Sequence, residues 1–508
     1  MRASGEIVSD LEIESAASRA IKHGIEHFPP LMSDICLTDA AQVISDQAEA
    51  RLEDGYLLSS EVVAYPRKSF GIRPVLVAPL TARAVYGAAV RKVQSWLPEP
   101  SRANGNWDKH KEFGLKSESS HVVEFDIASC YEYVDHARLR EELAMRTSNA
   151  GLASLITGYL SEVQGRAHGL PQFSYESDLL ADTYLNILDR RLHRGQFVTS
   201  RFADDFKILA SSFDEASEII ELCSEYARDL CLVLSTEKTR VMKKSTLKRR
   251  YIPDAKVREP YFKDAENARR AAKRFFFSGY GDVDVDDDSE IDPDELEYTA
   301  YHSIVADWAE AAVDRNEAKT KKVRLRAKTK GDRLQGLIPE ALSVLRSDPT
   351  PVDPDFLRLV VYDNIARLES VVKYIVAHPD GADYWHLIHE FTEQRRQSPW
   401  LKLWIIYAAN QLASDLFNSH EAAVIDWIGE QIEDRHELVR AEAAWVLAEH
   451  ERISVAELLG LYQAATELTR PLLAATVAID SKASGQAIGS LQGDGRLMSE
   501  AIKWARKS

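Results

Sequence analysis

The sequence predicts two kinds of structure in one chain: an α+β region over about residues 60–245, then an all-α array from about 300. Three observations predict it. In the first part, apolar runs of strand length alternate with amphipathic helical stretches. The stretch "FVTSRFADDFKILA" (197–210) reads as an antiparallel hairpin, not as a parallel strand. Beyond 300, strand signals cease and broad apolar helical stripes follow one another with short breaks. That order suits an antiparallel sheet with helices on one face, followed by packed helices.

Taken in order, residues 1–55 read as helical, with apolar residues at helical spacing around Ala16–Phe28. "SSEVVAYPRKSFGIRPVLVAPL" holds two β-rich runs around "KSFG", the pattern of a hairpin, and "TARAVYGAAVRKVQSWL" follows as a helix. "HVVEFDIAS" (121–129) is a strand ending near Asp126, with the helix "HARLREELAMR" after it. "GLPQ" (169–172) is a turn that leads into the helix "ESDLLADTYLNILDRRLHR". The hairpin with Ala203-Asp204-Asp205 at its tip comes next. "DEASEIIELCSEYARDLC" is then an amphipathic helix, and "LVLSTEKTRVM" is strand, turn and strand. In the C-terminal part, segments such as "SPWLKLWIIYAANQLASDLF" and "HELVRAEAAWVLAEH" carry stripes too broad for a lone helix. Stacked antiparallel pairs, as in HEAT-like arrays, bury such stripes, although no strict repeat period is visible. The division expected is an N-terminal helical and hairpin region over 1–120, a central sheet region over 121–255, a basic and acidic connector over 256–300, and a helical-repeat domain over 301–508.

Composition narrows the function classes. Apolar content is 45% and charged content 28%, as in ordinary globular chains. No apolar run reaches membrane-spanning length, and "MRASGEIVSDLEIESAAS" lacks the apolar centre of a signal peptide, so the expectation is a cytoplasmic protein with no membrane partner. Cys36, Cys130, Cys223 and Cys231 show no CxxC spacing and fit reduced thiols. The net charge of −17 argues against a uniformly basic nucleic-acid binder. Basic clusters at 238–250, 269–274 and 319–333 leave room for a local basic surface. The acidic run "GDVDVDDDSEIDPDELE" (281–297) reads as a solvated seam, since it lacks the glycine and terminal glutamate spacing of an EF-hand.

The chemistry concentrates in three carboxylates at strand ends or a hairpin tip: Asp126, Asp204 and Asp205. Adjacent acids inside an apolar frame are costly unless something compensates them. Divalent cations do so, and two-metal phosphoryl transfer needs such acids. Asp126 and Asp204 are the first choices for metal ligands. Asp205 is a supporting acid, because neighbouring strand residues point to opposite faces unless a tight hairpin relaxes the rule.

The order of these motifs resembles the palm of a reverse transcriptase. "FDIASCY" resembles motif A, with Asp126 as metal ligand and Tyr131 as the bulky gate five positions on. Leu170-Pro171-Gln172 resembles motif B, Phe202-Ala203-Asp204-Asp205 the [YF]xDD hairpin of motif C, and Lys238-Thr239 motif D. "PRKSFGIRPVLVAP" resembles the K-x-x-G-x-R-P fingers hairpin of bacterial reverse transcriptases. The likeness covers about residues 60–245. It implies a right-hand polymerase with fingers and palm, holding two Mg²⁺ ions for which Mn²⁺ can substitute. Arg73, with Arg67 or Lys68, would grip the triphosphate of a dNTP, and Tyr131 would crowd a ribose 2′-hydroxyl. Gln172 would touch the incoming nucleotide or the template. Lys238 would be a general acid toward pyrophosphate. Two departures stand out: Phe173 and Ser174 follow Gln172 where many relatives have glycine and proline, and Phe202 replaces the usual tyrosine.

A palm followed by a long helical region also resembles the abortive-infection and unknown-group bacterial enzymes. That likeness implies anti-phage defence by a homo-oligomer. It implies DNA synthesis that is template-independent and primed on a protein hydroxyl, giving a covalent protein–DNA product, or else copying of a dedicated non-coding RNA. Tyr298, Tyr301, Tyr362 and Tyr384 are candidate hydroxyls only by being tyrosines in the C-terminal half. The basic segments would contact the phosphates of product or RNA. A degenerate palm acting as an RNA-binding scaffold is disfavoured by the three retained aspartates, and an RNA-dependent RNA polymerase by Tyr131.

Overall fold

The computed structural model describes residues 3–55, 59–67, 71–251, 254–278, 292–317, 320–379, 384–414 and 418–507. They divide into two compact units. The first comprises Met1–Val63, Pro74–Tyr251 and Ile432–Ser508; the second comprises Ala64–Arg73 and Ile252–Gln431.

Two strands, β1 (Glu61–Pro66) and β2 (Ile72–Val77), form a hairpin sheet of their own. The central sheet of the first unit has four strands: β3 (His121–Asp126), β4 (Thr199–Phe202), β5 (Asp205–Ala210) and β6 (Arg240–Lys243), in the order β4-β5-β3-β6. Every pairing is antiparallel. β3 is central, and Val122, Val123 and Phe125 are all buried, which is why "HVVEFD" lacks a strict polar alternation. Phe125 pairs with Phe206 of β5, their rings stacked at 4.9 Å, and this pair fixes the register that sets Asp126 opposite Asp205.

The sequence also dictates the helices around the sheet. Tyr175–Arg194 starts at Ser174, whose side chain accepts from the Ser177 N–H, and ends in the basic turn Arg191, His193, Arg194. Phe213–Asp229 starts likewise at Ser212 and packs on β3 and β5 through Ala216, Ile219 and Cys223. The strand expected near 232–234 shrinks to one bridge, Ile127 to Leu234. Cys231 turns the chain through φ 57° just before it, and Ser235 already donates to the Asp126 carbonyl, so no length remains for a strand. All four cysteines are free; Cys231 is exposed and the others buried.

The chain-order boundary at 300 does not match how the chain packs, because residues 432–508 belong to the first unit. Carboxylates explain the attachment. Glu442, on the helix Glu437–Glu449, accepts from the backbone N–H groups of Met32 (2.9 Å) and Ser33 (3.0 Å) at the start of the short helix Met32–Ile35. Glu61 accepts from Glu437 and Leu438 at 2.9 and 3.0 Å, and Glu467 pairs with Arg51 and accepts from Thr81. The Glu442 and Glu61 carboxylates cap helix ends that packing would otherwise leave without acceptors, and Glu467 adds side-chain bonds.

Burial lifts the Glu442 carboxyl to about 7, against the N–H donors that pull it down. A proton therefore binds the folded state more tightly than the unfolded one. The contribution is full below about pH 4.5 and lost as pH rises through 7, on the order of 3 kcal/mol. Urea titrations of wild type and Glu442→Gln between pH 5 and 8 should show the wild-type unfolding free energy falling more steeply with pH. Parallel curves would contradict this.

In the second unit, Asp254–Ser278 and Pro293–Glu317 begin a series of helices that ends with Ser419–Glu430. They pack in pairs, for example Pro293–Glu317 with Lys321–Leu334, and Tyr384–Thr392 with Ser419–Glu430. Trp400, Trp404, Tyr374 and Phe391 form its buried aromatic core. Tyr65 of the β1–β2 hairpin meets Trp400 edge-on at 5.0 Å. Residues 281–291 of the acidic run lie outside the described residues; the rest opens Pro293–Glu317 with Asp294 and Glu295 in its first turn. Among the described residues, no helix is long and apolar enough to cross a membrane.

Candidate active site

β3 delivers Asp126, and the turn Ala203-Asp204 joins β4 to β5. Ala203 takes φ 53°, the left-handed backbone a two-residue hairpin turn demands. The turn breaks the strand alternation that would separate Asp204 from Asp205. One carboxylate oxygen from each of Asp126, Asp204 and Asp205 lies within 4.8 Å of the others.

The cluster is short of positive charge. Asp126 is 5% exposed, and its buried Oδ1 is ion-paired with the Lys238 Nζ at 2.9 Å. Burial, then the charge of Asp126, holds the Asp204 carboxyl above the usual carboxylate range. Burial, then Asp126 and Asp204, pushes Asp205 up to about 6. Three converging carboxylates, with the Lys238 ammonium as the cation paired to Asp126, form a hard, all-oxygen donor set that fits a Mg²⁺- or Mn²⁺-like ion.

Tyr131 sits on the one-turn helix Cys130–Tyr133. Its hydroxyl donates to Asp178, which also pairs with Arg102 at 2.8 Å, and the Arg102 guanidinium lies 5.9 Å from the Tyr131 ring centre. Burial and the Asp178 charge push the Tyr131 phenol well up, so it stays a neutral donor. The Leu170 N–H donates to the Tyr131 carbonyl at 2.7 Å, and Gln172 Nε2 donates to Glu132 at 2.8 Å. The "LPQ" turn is thus tied to the segment that follows Asp126. Phe173, where the resemblance expects glycine, takes φ 60°, the backbone glycine adopts freely. The Phe202 ring rests against Trp107 at 4.9 Å.

Asp126, Asp204, Asp205, Lys238, Tyr131 and Gln172 all belong to the first unit. Arg67 and Arg73 belong to the second, and Lys68 lies outside the described residues.

Sequence reasoning missed the support of the hairpin tip. Buried Arg201 bonds Asp182, Asp189 (2.8 Å) and the Ala203 carbonyl (3.0 Å). Asp182 accepts from the Ser101 N–H (2.8 Å) and hydroxyl (2.7 Å), and the Ser101 oxygen accepts from the Ala203 N–H at 3.0 Å. The one signal was Arg201 itself, a charge in the apolar frame beside the aspartates.

Residues 66–279 match the family model for reverse transcriptase (RNA-dependent DNA polymerase). The chain carries a reverse transcriptase domain. That domain makes it a nucleotidyltransferase, and the palm-like sheet with its carboxylate cluster falls inside the matched span. No curated protein matches the chain by sequence. Among solved structures, telomerase from Candida tropicalis with a TWJ fragment of telomeric RNA is similar at 11% identity, over 77% of this chain and 68% of that one. Its TM-score is 0.26, a likeness too slight to carry fold or function.

Proposed function

We propose that the reverse transcriptase domain synthesises DNA from dNTPs, with Asp126 and Asp204 as metal ligands and Asp205 as the third acid. The observation that carries this reading is the convergence of the three carboxylates inside the matched span. Bound Mg²⁺ or Mn²⁺ supplies the charge that lets a 3′-hydroxyl attack and pyrophosphate leave. Lys238, ion-paired with Asp126, is placed to hand a proton toward that leaving group. Arg67, Lys68 and Arg73 of the fingers hairpin serve the triphosphate, and Gln172 the nascent pair.

The wider role is anti-phage defence, with synthesis that needs no added template and starts on a protein hydroxyl. Its support is the sequence resemblance together with the large helical region after the palm. That region serves as a HEAT-like platform for homo-oligomers. Of the four tyrosines, Tyr301 and Tyr384 are buried, Tyr298 is half-buried and Tyr362 is 57% exposed, and none of them is singled out as the primer. The test is incorporation of each labelled dNTP and rNTP with Mg²⁺ by the purified protein. No template or primer is added at first; cellular RNA is added afterwards. Product that needs dNTPs and shifts on proteolysis supports the reading. Product only with RNA points to copying of that RNA, and no product under any condition returns the weight to a scaffold.

Tyr131 gives a further expected outcome. Tyr131→Phe keeps the ring and should keep dNTP selectivity, whereas Tyr131→Ala should lower the dNTP/rNTP ratio of kcat/KM by roughly 10- to 100-fold. An unchanged ratio in the alanine variant would remove Tyr131 from the gate.

A further inference from the structure

One cation beside the acids has no place in the motifs. Arg102 lies in the stretch "PEPSRANG", between the helices Leu80–Val93 and Asn106–Glu112. Its backbone is tied to the hairpin tip. The preceding residue, Ser101, gives its N–H and hydroxyl to Asp182 at 2.8 and 2.7 Å, and its oxygen accepts from the Ala203 N–H at 3.0 Å. Ala203 is the neighbour of Asp204, so the chain at Arg102 is fixed relative to the acids. Unlike Arg67 and Arg73, Arg102 also belongs to the same compact unit as those acids.

The side chain is held as well. One guanidinium N–H donates to Asp178 at 2.8 Å, and the group lies 5.9 Å from the Tyr131 ring centre. Asp178 in turn accepts from the Tyr131 hydroxyl. Burial holds the Asp178 carboxyl above its ordinary value, and the Arg102 charge leads the pull against it. The same charge reaches the cluster. Burial, then Asp126, raise the Asp204 carboxyl, and Lys238 and Arg102 are the two cations that oppose them. Lys238 is already ion-paired with Asp126, whereas Arg102 bonds none of the three acids.

A pair made only for packing would close over its guanidinium. Here the Arg102 side chain is 40% exposed, and among the described residues Asp178 is its one hydrogen-bond acceptor. A guanidinium carries five N–H donors in a planar fork that matches phosphate oxygens. One is committed to Asp178, and the rest meet no protein acceptor.

We infer that Arg102 binds a phosphate of the incoming nucleotide, with Asp178 as the residue that positions it. The inference rests on the polymerase reading. In that reading the nucleotide's sugar meets Tyr131 and its phosphates meet the ions on the acids; Arg102 stands against the first and within the field of the second. A fixed cation there stabilises charge on the transferring group. A phosphate contact is blind to the sugar, which separates a direct role from one exerted through Tyr131.

The test is equilibrium binding, with Mg²⁺, of the α,β-imido analogues of dUTP and UTP, which cannot be incorporated, to the full-length protein. Arg102→Ala should weaken binding of both analogues by the same factor, roughly 10- to 100-fold. Arg102→Lys should recover part of the loss, since it keeps the charge and not the fork. Asp178→Asn should weaken binding less, and add nothing in the Arg102→Ala background. Circular dichroism confirms that each variant is folded; if Arg102→Ala is not, Arg102→Lys carries the comparison. A loss confined to the deoxy analogue would mean that Arg102 acts through Tyr131, and overturns the proposal. Wild-type binding that the folded Arg102 variants leave unchanged overturns it with the polymerase reading intact. Absence of wild-type binding to either analogue overturns both.

Discussion

The Asp204→Asn/Asp205→Asn variant is expected to lose nucleotide incorporation by at least about 1,000-fold, yet to be more stable than wild type without divalent metal. The loss follows from removing two of the three acids that converge within 4.8 Å. The gain follows from the same geometry. Both carboxyls sit above their usual range because burial and the neighbouring aspartates disfavour their charge. A raised folded-state pKa means a contribution present in acid and lost as pH rises through about 6. At neutral pH the metal-free fold therefore carries ionised acids at a cost that asparagine removes, on the order of 1–3 kcal/mol. Thermal melts at pH 7.5 in EDTA should place the variant above wild type. Added Mg²⁺ should raise the wild-type midpoint and leave the variant's unchanged, since only the protein that binds the ion gains from it. A variant that still responds to Mg²⁺ in parallel with wild type would place the ion elsewhere.

The sequence showed this cluster because its signal is local. "FDIASCY" and "FADD" each place acids at a strand end or tip, and strand patterning predicts which ends face each other. The β3–β5 register then follows from Phe125 and Phe206. The packing of residues 432–508 was not legible, because it depends on acids such as Glu442 and Glu467 finding backbone and side-chain partners some 400 positions away. Helical periodicity reports that a face is buried and not which part of the chain covers it. The strand near 232–234 failed for a related reason: apolar residues allow pairing, and a left-handed Cys231 decides how much length is left for it.

Arg201 carries the other large expected effect. Its side chain is 9% exposed, and its guanidinium serves Asp182, Asp189 and the Ala203 carbonyl at once, while lying 5.9 Å from the Phe206 ring centre. Arg201→Met keeps most of the volume but strands two buried acids, one of which, Asp189, burial already holds above its usual range. Breaking a buried pair in this way costs about 3–5 kcal/mol, so the melting point should fall by roughly 10 °C. Arg201→Lys separates stability from positioning. One ammonium cannot reproduce a planar fork that reaches two carboxylates and a turn carbonyl. The lysine variant should fold, bind Mg²⁺ and keep its KM for dNTP, while kcat drops by roughly 10- to 100-fold because Ala203, and with it Asp204, is no longer fixed. Asp182→Asn and the double variant complete the cycle. Arg201 and Asp182 meet the same turn, one at the Ala203 carbonyl and the other through Ser101 at its N–H, so their effects on kcat should be strongly non-additive. Additive effects, or a loss confined to stability with kcat intact, would reduce Arg201 to a buried structural pair.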